Sequence, residues 1–335
     1  MKAIVCHAFG DFHDLKVEDS PPPPLVAGSV RIAVEAASIS FATSLWVAGK
    51  YQHKPPLPFV PGSEFVGTVI ECAPDAGRFK PGARVLAISG WGGYAEEAVV
   101  TEHTVYPIPP AIDAGAALHL ATSYATAYGA LVWRASIEPG ETLLVLAAAG
   151  GVGLAAVEIG RVLGAKVIAA AGGAEKCAIA KAHGAQAAID YRVGDLRAEI
   201  RNATAGRGID VVFDPVGGAS FDAALRSLVP GGRHVVIGFA GGAIPQIPAN
   251  LLLVKNIAVL GFNIGMWYGW SVNDERAKHE PEMRAAFEQI FAWYGEGRLA
   301  PLVSRVYPLA RFADAQDAVL ERRSVGKVVL KIKDS

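Results

Sequence analysis

The chain has 335 residues, with 31 Lys and Arg balanced by 32 Asp and Glu, and 52% of it is hydrophobic. That length exceeds the usual single domain, so two domains with separate cores are expected. Intermixed charges summing to −1 leave no footprint for nucleic acid or an anionic membrane, and three scattered cysteines, Cys6, Cys72 and Cys177, imply no disulfide framework. No apolar run reaches eighteen residues without a charge or a Gly turn, and Met1-Lys2-Ala3-Ile4-Val5 reads as a strand. The expected compartment is therefore the cytoplasm, without export or membrane spanning.

Taken in order, residues 1 to about 122 read as β-rich. Val30-Arg31-Ile32-Ala33-Val34-Glu35-Ala36 alternates, and Phe65, Val66, Val69 and Ile70 surround Gly67. The turns are dense in Pro and Gly (Pro21 to Pro24, Pro55-Pro56, Pro61-Gly62, Pro81-Gly82), which suits an antiparallel, barrel-like domain. From about Ser123 strands and helices alternate. Strands are expected at 142–147, 166–171, 187–190, 209–214, 233–238 and 257–262, and helices near 151–163, 174–183, 194–203 and 219–227. Six strands with helical crossovers predict a doubly wound parallel sheet. After Gly265 a helix is expected over 281–295. A last strand, Lys327 to Ile332, has no partner nearby in the sequence and is expected to return to the first domain.

Within this pattern, residues 142–171 carry the most chemistry. The apolar run Thr142 to Ala147 breaks at Gly150-Gly151-Val152-Gly153, reopens as a helix ending near Gly164, and is followed by a second apolar run, 166–171. Strand, Gly turn, helix and strand in about thirty residues form the unit that seats a dinucleotide pyrophosphate on a helix N-terminus. Gly150 lets the backbone approach the phosphates, and Gly153 lets the helix pack against the strand. Ala148 stands at the usual first Gly, so the pattern is AxGxxG.

A β-rich domain feeding such a unit resembles the medium-chain dehydrogenase/reductase superfamily. Several segments narrow the resemblance to its zinc-free quinone oxidoreductase branch: GKYQHKPPLPFVPGSEFVGTV at 49–69, GGYAEEAVV at 92–100, TAYGAL at 126–131, AAAGGVGLAA at the turn, DVVFDPVGG at 210–218 and GGRHVVIGFAGGAIPQIPANLLLVKN at 231–256. It covers essentially the whole chain. It implies a split, GroES-like catalytic domain, residues 1–124 plus 265–335, around an inserted Rossmann domain, residues 125–264. Homodimers or homotetramers are usual in that superfamily.

The resemblance also bears on metal and cofactor. Zinc enzymes of the superfamily carry Cys where Ser40 stands, His where Ser63 stands and a third ligand near Thr122; hydroxyls are poor replacements for them. No metal is expected, and His53, His103 and His119 are read as surface or loop histidines. NAD-preferring relatives carry an acid where this chain has Ala171, followed by Gly172 and Gly173. With no carboxylate there, a 2′-phosphate could sit beside Lys176, the resemblance carries Tyr191 onto an NADPH-binding tyrosine, and Arg192 adds nearby charge. NADPH is the expected cofactor, although Lys176 as a solvated lysine and Tyr191 as a packing residue are the alternatives. By the same resemblance the loops of Val216, Gly238-Phe239 and Phe262 bracket the nicotinamide, with Thr126 and Lys327 also contacting the cofactor.

Without zinc, an ordinary ketone would be a poor hydride acceptor, because the forming alkoxide lacks a Lewis acid. Quinones and α,β-unsaturated carbonyls delocalise the charge themselves. Tyr51 is the candidate proton donor, at a position where related enoyl-thioester reductases carry a functional tyrosine; a packing role is the alternative. Ser40 and Thr43 depart from the family's Asn and Asp in the active-site loop. With Trp46, Trp91, Trp267, Tyr268 and Trp270 they are expected to line the substrate pocket, although Trp267, Tyr268 and Trp270 could equally form a dimer contact. The leading expectation is an NADPH-dependent quinone reductase. The alternatives are an enoyl or enone reductase, and an NADPH-binding structural or sensory protein with little turnover.

Overall fold

In the computed structural model, residues 1–271 and 273–333 are described; Val272 and the last two residues of the C-terminal segment lie outside them. The chain forms two compact units. One comprises Met1–Thr122, Ile264–Ala292 and Pro301–Ser335, and the other Ser123–Asn263 and Trp293–Ala300. The return of Trp293–Ala300 to the second unit is held locally: the Ala300 amide donates to Glu158 Oε2 (2.8 Å) and Arg298 Nη2 to the Val162 carbonyl (3.1 Å).

The first unit is built on a seven-stranded sheet. Its order runs Val303–Pro308, Lys327–Lys331, Ser29–Ile39, Glu64–Cys72, Arg84–Ile88 and Val105–Pro107, and Glu97–Thr101 also pairs with Ser29–Ile39. Alternation makes the layer: Val30, Ile32 and Val34 are buried among Phe65, Val69, Val85, Val328 and Leu330, while Glu35 is turned outward. The last strand does return to this sheet, with Leu330 opposite Ala37. It also has a nearby partner that the sequence reading missed, because Val303–Pro308 pairs with it in parallel. That strand carries Arg305 and Pro308 and an exposed Val306, the composition of a sheet edge, which breaks hydrophobic alternation.

The second unit is a six-stranded parallel sheet in the order Ala187–Asp190, Lys166–Ala171, Thr142–Leu146, Ile209–Asp214, Leu228–Val236, Ala258–Gly261. Thr142–Leu146 is buried along its whole length, as a strand covered on both faces should be. Each fully buried Leu or Val contributes about 1.5–3 kcal/mol relative to exposure. Close packing is visible at Gly160, where a Cβ would lie 2.5 Å from Leu143 Cδ2. Strand order reverses between Thr142–Leu146 and Ile209–Asp214, which places the binding crevice of this fold beyond their carboxyl ends.

Helices that were not anticipated include Phe41–Val47, Ala114–His119, Ala249–Lys255 and Phe312–Leu320. The helix expected from Pro281 starts earlier, at Arg276, with Pro281 inside it. His119, read as a surface or loop residue, is fully buried at the end of the helix Ala114–His119. Among the described residues no helix is long and apolar enough to cross a membrane.

Candidate active site and cofactor crevice

In the second unit the turn after Thr142–Leu146 is tight enough to hold Ala147 at a left-handed φ of 51°. Gly150 then opens the helix Gly151–Val162, whose first turn carries neither a side-chain cap nor an acid. Such an end presents backbone N–H groups and the positive pole of the helix dipole to an anion. A Cβ on Gly153 would lie 2.2 Å from the Ala147 carbonyl oxygen, so only glycine lets helix and turn close up there. The structure thus brings Gly150, Gly151, Val152 and Gly153 together at one uncapped helix N-terminus.

The neighbouring strand ends at a buried Ala171, followed by Gly172 and Gly173. Both glycines are roofed by side chains. A Cβ on Gly172 would sit 3.0 Å from the Tyr191 hydroxyl, and one on Gly173 would overlap Arg192 Nη2 at 1.9 Å. Gly173 has φ +106°, and its N–H donates to Asp190 Oδ1 at 2.9 Å. The Arg192 N–H donates to the same oxygen at 3.1 Å, and these two amides hold the Asp190 carboxyl below its ordinary range. Asp190 is therefore committed to organising the diglycine turn. Lys176 lies half-buried in the first turn of Ala174–Ala182. Arg192, expected from the sequence only as charge near Tyr191, lies directly over Gly173. The signal was its place directly after Tyr191, but its position over Gly173 is a property of the fold.

Across the crevice, Asp214 ends the fourth strand and is fully buried. Its Oδ1 accepts from the Val216 and Gly217 amides (2.7 and 2.8 Å), and its Oδ2 meets His234 Nε2 at 2.9 Å. The loop so fixed is tied to the next one, with the Gly241 amide donating to the Val216 carbonyl (2.9 Å). Gly217 lies against Phe239, which is 39% exposed. Val216, Gly238 and Phe239 are thus gathered at one place. Phe262 is separate in character: it is buried, and a Cβ on Gly129 would lie 2.4 Å from its Cζ. Thr126 is buried in the short helix Ala125–Tyr128.

In the first unit, Ser40 caps the helix Phe41–Val47. Its Oγ accepts from the Thr43 amide (3.2 Å) and lies 3.0 Å from the Thr43 hydroxyl. That short polar pair aims the helix, which delivers Trp46 to an aromatic cluster. Trp46 meets Tyr51 edge-on (5.0 Å, 70°) and Trp270 edge-on (5.3 Å, 81°), and Trp270 meets Tyr268 (5.3 Å). Burial raises the Tyr51 phenol above its ordinary range, so it keeps its proton through neutral pH. Trp91 instead stacks on His53 at 5.8 Å, and the Trp267 indole donates to Glu282 at 2.6 Å.

The positions compared with zinc ligands hold hydroxyls, and that of Thr122 finds no partner among the described residues. Ser40 is the helix cap, and Ser63 is buried beside Glu64. Glu64 is 2% exposed, and its Oε2 accepts from Lys327 Nζ and from Ser38 Oγ, both at 2.6 Å. The one carboxylate near these hydroxyls is therefore already matched by an ammonium, a donor set that does not suit zinc. Lys327 itself is 5% exposed and held by that pair.

Comparison with known proteins accords with this geometry. Residues 26–110 match the model of the alcohol dehydrogenase GroES-like domain, and residues 151–277 that of the zinc-binding dehydrogenases. The chain is 40% identical over 320 residues to quinone oxidoreductase-like protein 2 of Bos taurus, covering 95% of this chain and 89% of that one. It is 30% identical to the quinone oxidoreductase of Homo sapiens, covering 98% and 97%. Among solved structures, Escherichia coli quinone oxidoreductase complexed with NADPH superposes with a TM-score of 0.89 at 27% identity, covering 99% of this chain and all of that one.

Proposed function

Because the chain belongs to the quinone oxidoreductase branch of the medium-chain dehydrogenase/reductase superfamily, we propose that it transfers a hydride from NADPH to a quinone or similarly activated carbonyl without a metal. The observation that carries the cofactor choice is the diglycine Gly172-Gly173 roofed by a phenol and a guanidinium, beside Ala171 where an acid would exclude a 2′-phosphate. NADPH supplies the hydride. The chain's own residues hold its phosphates on the cradle 150–153, fix the loop at Val216 through Asp214, and present Tyr51 as a hydroxyl that orients the acceptor and donates a proton to acceptors that need one. A quinone takes one hydride and one proton and leaves as the hydroquinone; NADP+ is the other product. The lack of a fitting zinc donor set favours such self-stabilising acceptors over simple ketones.

Arg192→Ala is expected to weaken NADPH binding while leaving NADH nearly unchanged. A hydrogen bond to a charged group contributes about 1.5–3 kcal/mol, and Arg192 is 63% exposed in its side chain, so solvent screening should hold the loss near tenfold. Titration of both cofactors checks this, and equal losses for the two would remove the phosphate assignment. Turnover is tested by following NADPH oxidation with quinones, enones and enoyl thioesters side by side.

The same reading includes a homodimer. The parallel sheet ends on Ala258–Gly261, and the adjoining helix Ala249–Lys255 buries none of its residues, leaving Leu253 and Val254 79% and 77% exposed. An open sheet edge beside an apolar helix face invites a second copy. Leu253→Glu with Val254→Glu is expected to give a folded monomer by light scattering. A dimer that survives both changes would place the interface elsewhere.

A further inference from the structure

Three buried donors in the first unit have no use in the fold. Trp46 Nε1, Trp270 Nε1 and the Tyr268 hydroxyl find no hydrogen-bond partner among the described residues. Their residues are 1%, 6% and 1% exposed, so water at the surface does not serve them. Each such group left unsatisfied costs about 1–3 kcal/mol, and Phe would fill the same space without that cost. All three belong to one set of touching rings, since Trp270 contacts both Trp46 and Tyr268. Gly90 leaves space beside the Trp270 donor, because a Cβ there would sit 3.9 Å from Nε1.

The chemistry of the three groups is uniform. An indole N–H can only donate. The Tyr268 phenol is held well above its ordinary pKa, first by burial and then by the nearby Tyr106 and Glu64, so it too stays protonated. The missing partner must therefore supply an acceptor oxygen rather than a cationic group, and a carbonyl is one such acceptor. The chain of contacts runs Tyr51, Trp46, Trp270, Tyr268, so Trp46 adjoins Tyr51 while Trp270 and Tyr268 lie further along the cluster.

We propose that Trp46, Tyr268 and Trp270 bind the second carbonyl oxygen of a quinone, and so select two-carbonyl acceptors over enones, which have one. The inference rests on the reductase reading above. As the hydride adds to the ring, negative charge spreads onto that second oxygen, where three positioned donors stabilise it. One proton goes to the enolate oxygen and the ring tautomerises, its added C–H passing as a proton to the other oxygen, so one hydride and one proton in sum convert both carbonyls to hydroxyls, and no bond to the protein forms or breaks.

The test uses Tyr268→Phe, which deletes one hydroxyl and nothing else, with Trp270→Phe as a second variant. Wild type and variants are compared on 1,4-naphthoquinone and on 2-cyclohexen-1-one, with saturating NADPH. In parallel, equilibrium binding of 1,4-naphthoquinone to the NADP+ complex is read by tryptophan fluorescence, and thermal unfolding is recorded. Tyr268→Phe is expected to lower kcat/KM and weaken binding for the quinone by about tenfold, to leave the enone unchanged, and to melt no lower than wild type, since an unsatisfied hydroxyl has been removed. Equal effects on both acceptors, or a lower melting point with unchanged quinone binding, would show the hydroxyl to be served by internal water and overturn the proposal. If wild type reduces neither acceptor, the reductase reading fails; the binding comparison still decides whether Tyr268 recognises a quinone.

Discussion

Lys327→Ala is expected to cost about 3–5 kcal/mol of folding stability, the loss typical when one partner of a buried ion pair is removed. The mutation would strand the Glu64 carboxylate, 2% exposed, with the Ser38 hydroxyl as its remaining partner at 2.6 Å. The pair also ties strands together: Glu64 and Lys327 begin Glu64–Cys72 and Lys327–Lys331, which flank Ser29–Ile39 on its two sides. Replacing both partners, Glu64→Gln with Lys327→Met, should recover most of the loss, because the desolvation penalty leaves with the charges. Denaturant unfolding of the two single variants and the double variant measures the coupling. An additive double variant would mean that the pair does not act as a unit. The double variant also separates two roles for Lys327. If the family resemblance is right and the lysine contacts cofactor, NADPH affinity falls even where stability is restored. Unchanged affinity would leave Lys327 as a structural partner of Glu64.

What could be read in advance follows from how local each feature is. The strand, Gly turn and helix of 142–162 are specified by neighbouring residues, and they fold as expected. The exclusion of a conventional zinc donor set could be read from Ser40 and Ser63 alone, but the ammonium that meets Glu64 could not, because Lys327 lies 263 positions away. Val303–Pro308 escaped notice because an edge strand needs hydrophobic residues on few of its positions. Ala249–Lys255 was hidden for another reason: half-buried Leu251 and Leu252 run straight into exposed Leu253 and Val254, so the apolar run marks no helical period. His119 was misplaced because a lone histidine carries no burial signal. The Asp214–His234 contact and the guanidinium over Gly173 depend on register between strands and on loop geometry, which composition does not encode. The aromatic set expected to line a substrate pocket was half legible. Trp46, Tyr51 and Trp270 come together, whereas Trp91 and Trp267 pair with His53 and Glu282.

Tyr51→Phe is expected to separate the two enzyme readings of this chain. An enone or enoyl thioester needs a proton delivered to carbon or to an enolate, and general acid catalysis is worth about 10²–10⁴-fold. For those acceptors kcat should fall by that order. A quinone gives an aromatic diolate stable enough to take its protons from water, so the same variant should leave kcat close to wild type and change mainly KM. Burial raises the Tyr51 pKa above its ordinary value of about 10, so the phenol is the protonated, donating form at every pH below that range. A Tyr51-dependent rate should therefore stay level through neutral pH and fall only in strongly alkaline solution, and Tyr51→Phe should abolish that alkaline limb. The ring itself must be kept, since it packs edge-on against Trp46 at 5.0 Å; Phe preserves that contact, and Ala would confound loss of the hydroxyl with loss of packing. Kinetics for 1,4-naphthoquinone and an enoyl thioester, measured across pH with saturating NADPH, provide the comparison. Identical kinetics for every acceptor would leave Tyr51 as a wall of the aromatic cluster and require the proton to come from solvent.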